Sequence, residues 1–199
     1  LAIFDKPDAM EGPFFEETML VTPSRLSKAV QDTIASHVGQ CAAILGLDNG
    51  PIHAELRVDG DRASLLEIAP RSIGGRCSAI LRFDPAATLE ELIVRHALDM
   101  PLQGFRREPE ASGVMMMPIP GAGILRDVAG VDAALEVSGI EGLEITIPMG
   151  QTVVPLPEGN RYLGFIFARA DSPKHVETAL RLAYARLDIE VEPPRDQCI

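Results

Sequence analysis

Basic residues are scarce in this 199-residue chain. Eighteen Lys and Arg stand against 29 Asp and Glu, a formal net charge of −11. That balance argues against nucleic acid as the main partner, because phosphate contacts need clusters of Lys and Arg. It leaves room for a small phosphorylated ligand, which a bound cation and a few arginines can hold. Cysteine is scarce too. Cys41, Cys77 and Cys198 are odd in number and lack a C-x-x-C spacing, which points to a reducing compartment rather than a disulfide framework or a zinc site. No apolar run approaches the roughly 20 residues of a membrane span, and no signal-peptide pattern is visible. The expected location is therefore the cytoplasm, with no membrane partner. There is no clear internal repeat and no low-complexity tract.

What is present suffices for a real core. Hydrophobic residues make up 46%, and the length allows one large or two small domains. The chain enters directly on the apolar run Leu1 to Phe4, read as a strand. This start is expected of a C-terminal piece of a longer protein, although an engineered or processed start would look the same.

The most informative stretch is Pro51 to Arg76, PIHAELRVDGDRASLLEIAPRSIGGR. Ile52, Ala54, Leu56 and Val58 alternate with His53, Glu55 and Arg57, the period-2 pattern of a half-buried strand. Leu66 and Ile68 alternate with Leu65, Glu67 and Ala69 in a second strand. Asp59, Gly60 and Asp61 supply the turn. Leu66 and Ile68 are expected on the core face with Leu56 and Ala54, since a one-residue slip turns every side chain over. The register that pairs Leu56 with Leu66 also sets Glu55 opposite Glu67, across a loop of roughly three to five residues. Facing like charges destabilise a sheet. Two readings stand side by side: a hard divalent cation between the carboxylates, or two solvated glutamates on an exposed face. His53 shares the face of Glu55; a structural, hydrogen-bonded histidine is favoured over a third site residue.

These residues resemble a family. A Glu on one strand, L-L-E-I-A-P-R on the next and then S-I-G-G resemble the C-terminal half of an ATP-grasp domain. The resemblance implies Glu55 and Glu67 as ligands of Mg2+ (or Mn2+) on the phosphates of ATP. It implies Arg71 as a catalytic anion clamp for the substrate carboxylate or acyl-phosphate, and Gly74 and Gly75 as the place where backbone approaches substrate or phosphate. Many members have Asn two residues after the second acid, where this chain has Ala69. That leaves one ligand of a second metal without a counterpart and tilts the resemblance toward the amino-acid ligase branch. The opening, FDKP…GPFFEETMLVTPSRL, is similar to the region before the last helix of an ATP-grasp domain.

Around this hairpin the chain reads as follows. Asp5 to Pro13 is a loop, Phe14 and Phe15 anchor it, and Glu16 to Val21 is a strand. Ser24 caps an amphipathic helix with Leu26, Val30, Ile34, Val38, Cys41 and Leu45 on one face, and Gly46 stops it. His37 lies beside that stripe, at the surface or the helix end. A helix begins between Gly75 and Phe83, its N-terminus favouring an anion; Arg76 joins the clamp or points to solvent. Thr88 and Glu91 form a capping box for a helix running to about Met100, with Leu89, Leu92, Ile93 and Ala97 on one face. The polar run Phe105 to Ser112 marks a boundary, giving residues 1–108 and 109–199 as two parts.

The second part reads as strand (Val114 to Ile119), turns (PGAGILRD), helix (Val131 to Val137), strands (Leu143 to Ile147, Gln151 to Pro155, Tyr162 to Ala168), helix from Ser172-Pro173, and strand (Ile189 to Val191). That is the β-α-β-β-α-β order of small split α+β domains. Gly121 and Gly123 are read as a turn rather than a phosphate cradle, and Met115 to Met117 as a half-buried strand rather than a pocket wall. This region resembles the small domain after the ATP-grasp domain in amino-acid ligases and related carboxylases. The expected fold is thus α+β, the C-terminal half of an ATP-grasp domain followed by a small split domain.

The implied activity is an ATP-dependent ligase joining a carboxylate to an amine through an acyl-phosphate, with ATP, a small carboxylate and an amine as partners and a homodimer left open. The family's nucleotide-binding lysines and phosphate loop have no counterpart in these residues, so the chain by itself is expected to be weak or inactive toward ATP. The alternatives are a noncatalytic ligand-binding or dimerisation module, or a biotin-carboxylase-like enzyme, against which Ala69 counts.

Overall fold

The computed structural model describes residues 1–8 and 17–193. Phe14, Phe15, Cys198 and the expected strand start at Glu16 lie outside them. The chain forms two compact units, residues 1–3 with 24–109 and residues 4–23 with 110–199. The strand β1 (Met19–Thr22) thus belongs to the second unit.

In the first unit, α1 (Lys28–Ile44) buries Val30, Ile34 and Ala42. Its cap is Ser27, whose hydroxyl accepts the Val30 N–H. The expected cap, Ser24, is occupied by a local turn in which its hydroxyl accepts the Leu26 N–H. The helix ends at a left-handed glycine: Gly46 (φ 69°) donates to Ala43 and Leu47 donates to Ala42, the paired bonds that satisfy the last carbonyls. Leu45, expected on the apolar face, is 58% exposed.

Two strands follow, β2 (His53–Asp59) and β3 (Arg62–Ala69), paired antiparallel. Glu55 pairs with Glu67 as expected, but Leu56 pairs with Leu65 and not with Leu66. Leu66 is the extra residue of a β-bulge and is 64% exposed. An extra residue reverses the alternation, so Leu65 and Ile68 carry the half-buried side. The bulge also takes up one residue of the hairpin: Asp59 pairs with Arg62, leaving a two-residue turn at Gly60 and Asp61, shorter than expected. Gly60 has φ 58°, which a side chain would resist. From α1, His37 Nδ1 donates to the Ala63 carbonyl of β3 at 3.0 Å, a structural role.

No regular helix follows the hairpin. Gly75 and Arg76 both take left-handed backbone (φ 60° and 59°), and a single 3-10 turn (Cys77–Ile80) leads into extended chain. That chain is β4 (Arg82–Asp84), which lies between β5 (Ala87–Thr88) and β6 (Arg106–Arg107). A turn of that length offers no anion site, so the anion-favouring helix N-terminus expected here is not formed. The Thr88 half of the expected capping box is present: its hydroxyl accepts the Glu91 N–H at 3.2 Å and starts α2 (Leu89–Ala97), while the Glu91 carboxylate accepts from Arg95 Nε at 2.8 Å.

The second unit carries a four-stranded antiparallel sheet in the order β1, β7 (Ala111–Met117), β11 (Gly164–Ala170), β9 (Ile140–Ile145). Before β1 the expected strand Leu1 to Phe4 is absent; Asp5 alone bridges to Val21. The helix α4 (Pro173–Tyr184) is capped by the Ser172 hydroxyl and buries Val176, Ala179, Leu180 and Ala183. Gly113 lets α4 approach β7, since a Cβ there would stand 2.6 Å from Val176 Cγ1. Met115 and Met117 belong to this core, and the strand expected to be half-buried is fully buried there.

A second sheet has the order β10 (Thr152–Val153), β8 (Gly123–Ala129), β12 (Asp188–Glu192), with α3 (Val131–Leu135) following β8. The stretch read as turns, PGAGILRD, thus contains a strand. Its alternation is hidden by a bulge at Arg126, between Leu125 (paired with Val191) and Asp127 (paired with Glu190). Gly123 is no cradle for phosphate: a Cβ there would lie 2.1 Å from the Glu192 carbonyl. No helix among the described residues is long and apolar enough to cross a membrane.

Candidate functional site

The β2–β3 ladder sets Glu55 and Glu67 directly opposite each other. Directly opposed residues stand about 4.5–5.5 Å apart at Cβ, so the two carboxylates repel unless something positive lies between or beside them. Glu67 is the more open, with 59% of its side chain exposed against 26% for Glu55. Arg71, two residues past the end of β3, brings Nη2 to 4.0 Å from Glu67 Oε1, and its Nη1 donates to the Ser72 carbonyl at 3.0 Å. A half-exposed pair at that distance contributes little to stability. Its consequence is placement: a guanidinium stands next to the carboxylate pair.

Beyond Arg71 the backbone is open. A Cβ on Gly74 would meet nothing within 4 Å. Gly75 sits at φ 60°, where glycine is the residue without penalty. Arg76 is exposed at the entrance to the 3-10 turn.

His53 stands two residues before Glu55 and pairs across the ladder with Ala69. Its Nε2 is 3.9 Å from Glu55 Oε1. Its Nδ1 is shut from solvent and has no hydrogen-bond partner among the described residues. The hydrogen bond expected of a structural histidine is therefore not found at Nδ1 among the described residues. A buried polar atom without a partner costs about 1–3 kcal/mol and in native structures calls for a reason such as a functional role.

The donor set fits one kind of cation. Among the described residues no group of three or more His, Cys, Asp and Glu is placed to hold a metal. A closed all-protein cage for zinc or calcium is thus not built here. Two carboxylates suit a hard ion such as Mg2+ or Mn2+, which keeps waters and takes its remaining oxygens from substrate phosphates.

A concavity lies in the other unit. It is an open groove of about 690 Å3 lined by Glu110, Glu141, Arg169, Asp171 and His175 among others. Arg169 is nearly buried, with Nε 3.1 Å from Glu141 and 4.0 Å from Glu110. Its charge is balanced within the chain.

Comparison with known proteins covers both units. Residues 1–80 match the family model of the ATP-grasp domain, and residues 115–192 match that of L-amino acid ligase C-terminal domain 2. The structure is similar to the L-amino acid ligase from Bacillus licheniformis, with 24% identity and a TM-score of 0.84 over 96% of this chain and 48% of that one. It is also similar to phosphoribosylglycinamide synthetase from Anaerococcus prevotii, with 13% identity and a TM-score of 0.72 over 88% of this chain and 46% of that one. The uncharacterized protein y4rH of Sinorhizobium fredii is 21% identical over 92% of this chain and 38% of its own length. The chain thus spans less than half the length of the relatives it matches.

Proposed function

We propose that this chain is part of an ATP-grasp protein, as the match of residues 1–80 to that domain supports, and that its β2–β3 hairpin is the cation- and anion-holding face of an ATP-dependent ligase, one that joins a carboxylate to an amine through an acyl-phosphate. The observation that carries this reading is the direct opposition of Glu55 and Glu67. A ladder keeps two facing carboxylates at a cost, and a cation shared with the phosphates of ATP gives that cost a use.

The residues divide the work by their chemistry. Glu55 and Glu67 would hold Mg2+ or Mn2+, which when bound neutralises charge on the phosphates. Arg71 offers a planar two-pronged donor to the substrate carboxylate and then to the acyl-phosphate. Gly74 lets the backbone come close to that anion. In the first step a carboxylate oxygen bonds to the γ-phosphorus and the bond to ADP breaks. In the second the amine nitrogen bonds to the acyl carbon, phosphate leaves, and the nitrogen gives up its proton. No side chain on this face is needed as a base if the amine arrives neutral.

The match of the second unit to an L-amino acid ligase domain supports an amino acid as the acid, over a biotin-carboxylase-like reaction. The adenine pocket and the phosphate loop are assigned to residues beyond these 199. The test is titration calorimetry of Mg–ATP on this chain and on a longer protein that contains it, each with and without Glu67→Gln. The longer protein should bind and the substitution should weaken binding. Equal binding by both versions would end the metal assignment. Tight binding by the 199-residue chain would end the claim that the nucleotide pocket lies elsewhere. In EDTA, Glu67→Gln should raise stability by about 0.2–1 kcal/mol, because it removes one of two facing like charges.

A further inference from the structure

We infer that His53 is a positioning residue for the cation site: its Nε2–H holds one oxygen of Glu55 and so turns the other toward the cation. This rests on the reading of Glu55 and Glu67 as cation ligands. Three observations converge on it.

The ring is set by packing and not by hydrogen bonding. Only 16% of the His53 side chain is exposed, and Nδ1 is enclosed without a partner among the described residues. A histidine kept for structure alone has its buried nitrogen paired, as His37 does with the Ala63 carbonyl.

The enclosed nitrogen also fixes the proton. A proton on Nδ1 would bury a donor with nothing to donate to. A proton on Nε2 faces the Glu55 carboxylate, with Oε1 at 3.9 Å. The neutral ring carries one N–H and one bare nitrogen, and this environment places the N–H on Nε2. The gap is about 1 Å beyond an ordinary hydrogen bond, so forming the bond requires the Glu55 carboxylate to turn toward the ring.

The cross-strand partner leaves the space. His53 lies opposite Ala69, and a methyl group there neither donates to nor crowds the ring. The carboxylate of Glu55, two residues along the same face, is the acidic group placed beside the imidazole. Because no three-ligand group is formed among the described residues, His53 acts through Glu55. A neighbour that orients a ligand in this way is worth roughly 10–100-fold in metal affinity.

The experiment is Mn2+ binding with ATP, read from the electron paramagnetic resonance of free Mn2+, on the longer protein that contains this chain. The variants are His53→Ala, His53→Gln, His53→Asn and Glu67→Gln. Glutamine places an N–H near Nε2, and asparagine places one near Nδ1. His53→Ala and His53→Asn should weaken Mn2+ binding roughly 10–100-fold, and His53→Gln should restore most of it. Melting temperatures in EDTA should not fall in step with that order. Should Glu67→Gln weaken Mn2+ binding while His53→Ala does not, His53 has no such role and the carboxylate reading stands. Rescue by asparagine instead of glutamine would overturn the geometry assigned to the ring. If Glu67→Gln leaves Mn2+ binding unchanged, the carboxylate reading fails and takes this inference with it. Should His53→Ala fail to fold, the comparison of Gln with Asn decides.

Discussion

Leu56 pairs with Leu65, although the next pair along the ladder is Glu55 with Glu67. The residue left over is Leu66, which stands out of the ladder and is exposed. The bulge thus lies beside the carboxylate pair, where bulges in other sheets re-aim a side chain.

This geometry separates two adjacent leucines. Leu66→Ala should change stability by less than about 0.5 kcal/mol, as surface substitutions do. Leu65→Ala, on the half-buried side, should cost clearly more, up to about 2 kcal/mol, the low end for a buried leucine. Urea unfolding of the two variants checks this. The reverse order would restore the unbulged register in which Leu66 faces the core.

The glycine pair after Arg71 should also split. Gly75→Ala forces a side chain into left-handed backbone and should cost about 1–2 kcal/mol. Gly74→Ala meets open space and should leave the melting temperature in place. If backbone approach to the anion is its use, Gly74→Ala should weaken binding of substrate or of Mg–ATP in the longer protein. Unchanged binding would show that no ligand comes near it.

In the second unit, Asp8 accepts from the Thr18 hydroxyl and pairs with Arg181, which also pairs with Glu177 at 2.9 Å. Burial pushes the Asp8 carboxyl up, but the Thr18 and Arg181 contacts outweigh it and hold the carboxyl below its ordinary 3.8. A carboxyl depressed by folding contributes stability above its unfolded pKa and loses it as pH falls through the folded one. Asp8→Asn should therefore be less stable than the parent at pH 7, and the gap should narrow below pH 3.8. Both partners are over one-third exposed, so solvent screening keeps the gap within about 1 kcal/mol. Chemical unfolding at several pH values measures it. A gap that widens in acid would have the wrong sign.

Much of the fold was legible in local chemistry. Thr88 with Glu91 and Ser172 with Pro173 announce their helices, because a cap is a contact between residues three apart. Asp59-Gly60-Asp61 announces a hairpin, and the pairing of Glu55 with Glu67 follows from the strands on either side. Where the reading failed, the reason recurs. Leu66, Arg126 and Glu141 are each the extra residue of a bulge, and each breaks the alternation from which strands and faces are read. A bulge is settled by what the partner strand and the covering helix require, and neither is local. Ser24 lost its cap role to Ser27 for a similar reason: two serines three residues apart are equivalent until one of them is taken by a turn.

The sequence by itself determined the residue types of the site and their order: two glutamates on adjacent strands, an arginine four residues after the second, and two glycines beyond. Spacing along one chain carries that much. Only the tertiary structure decided that Leu66 leaves the ladder, that the turn shortens to two residues, and that the His53 ring has one nitrogen enclosed without a partner among the described residues and the other 3.9 Å from Glu55. Those features depend on how the strand is covered and on which polar atoms find partners. Both are settled by packing between segments distant in sequence, and periodicity does not record them.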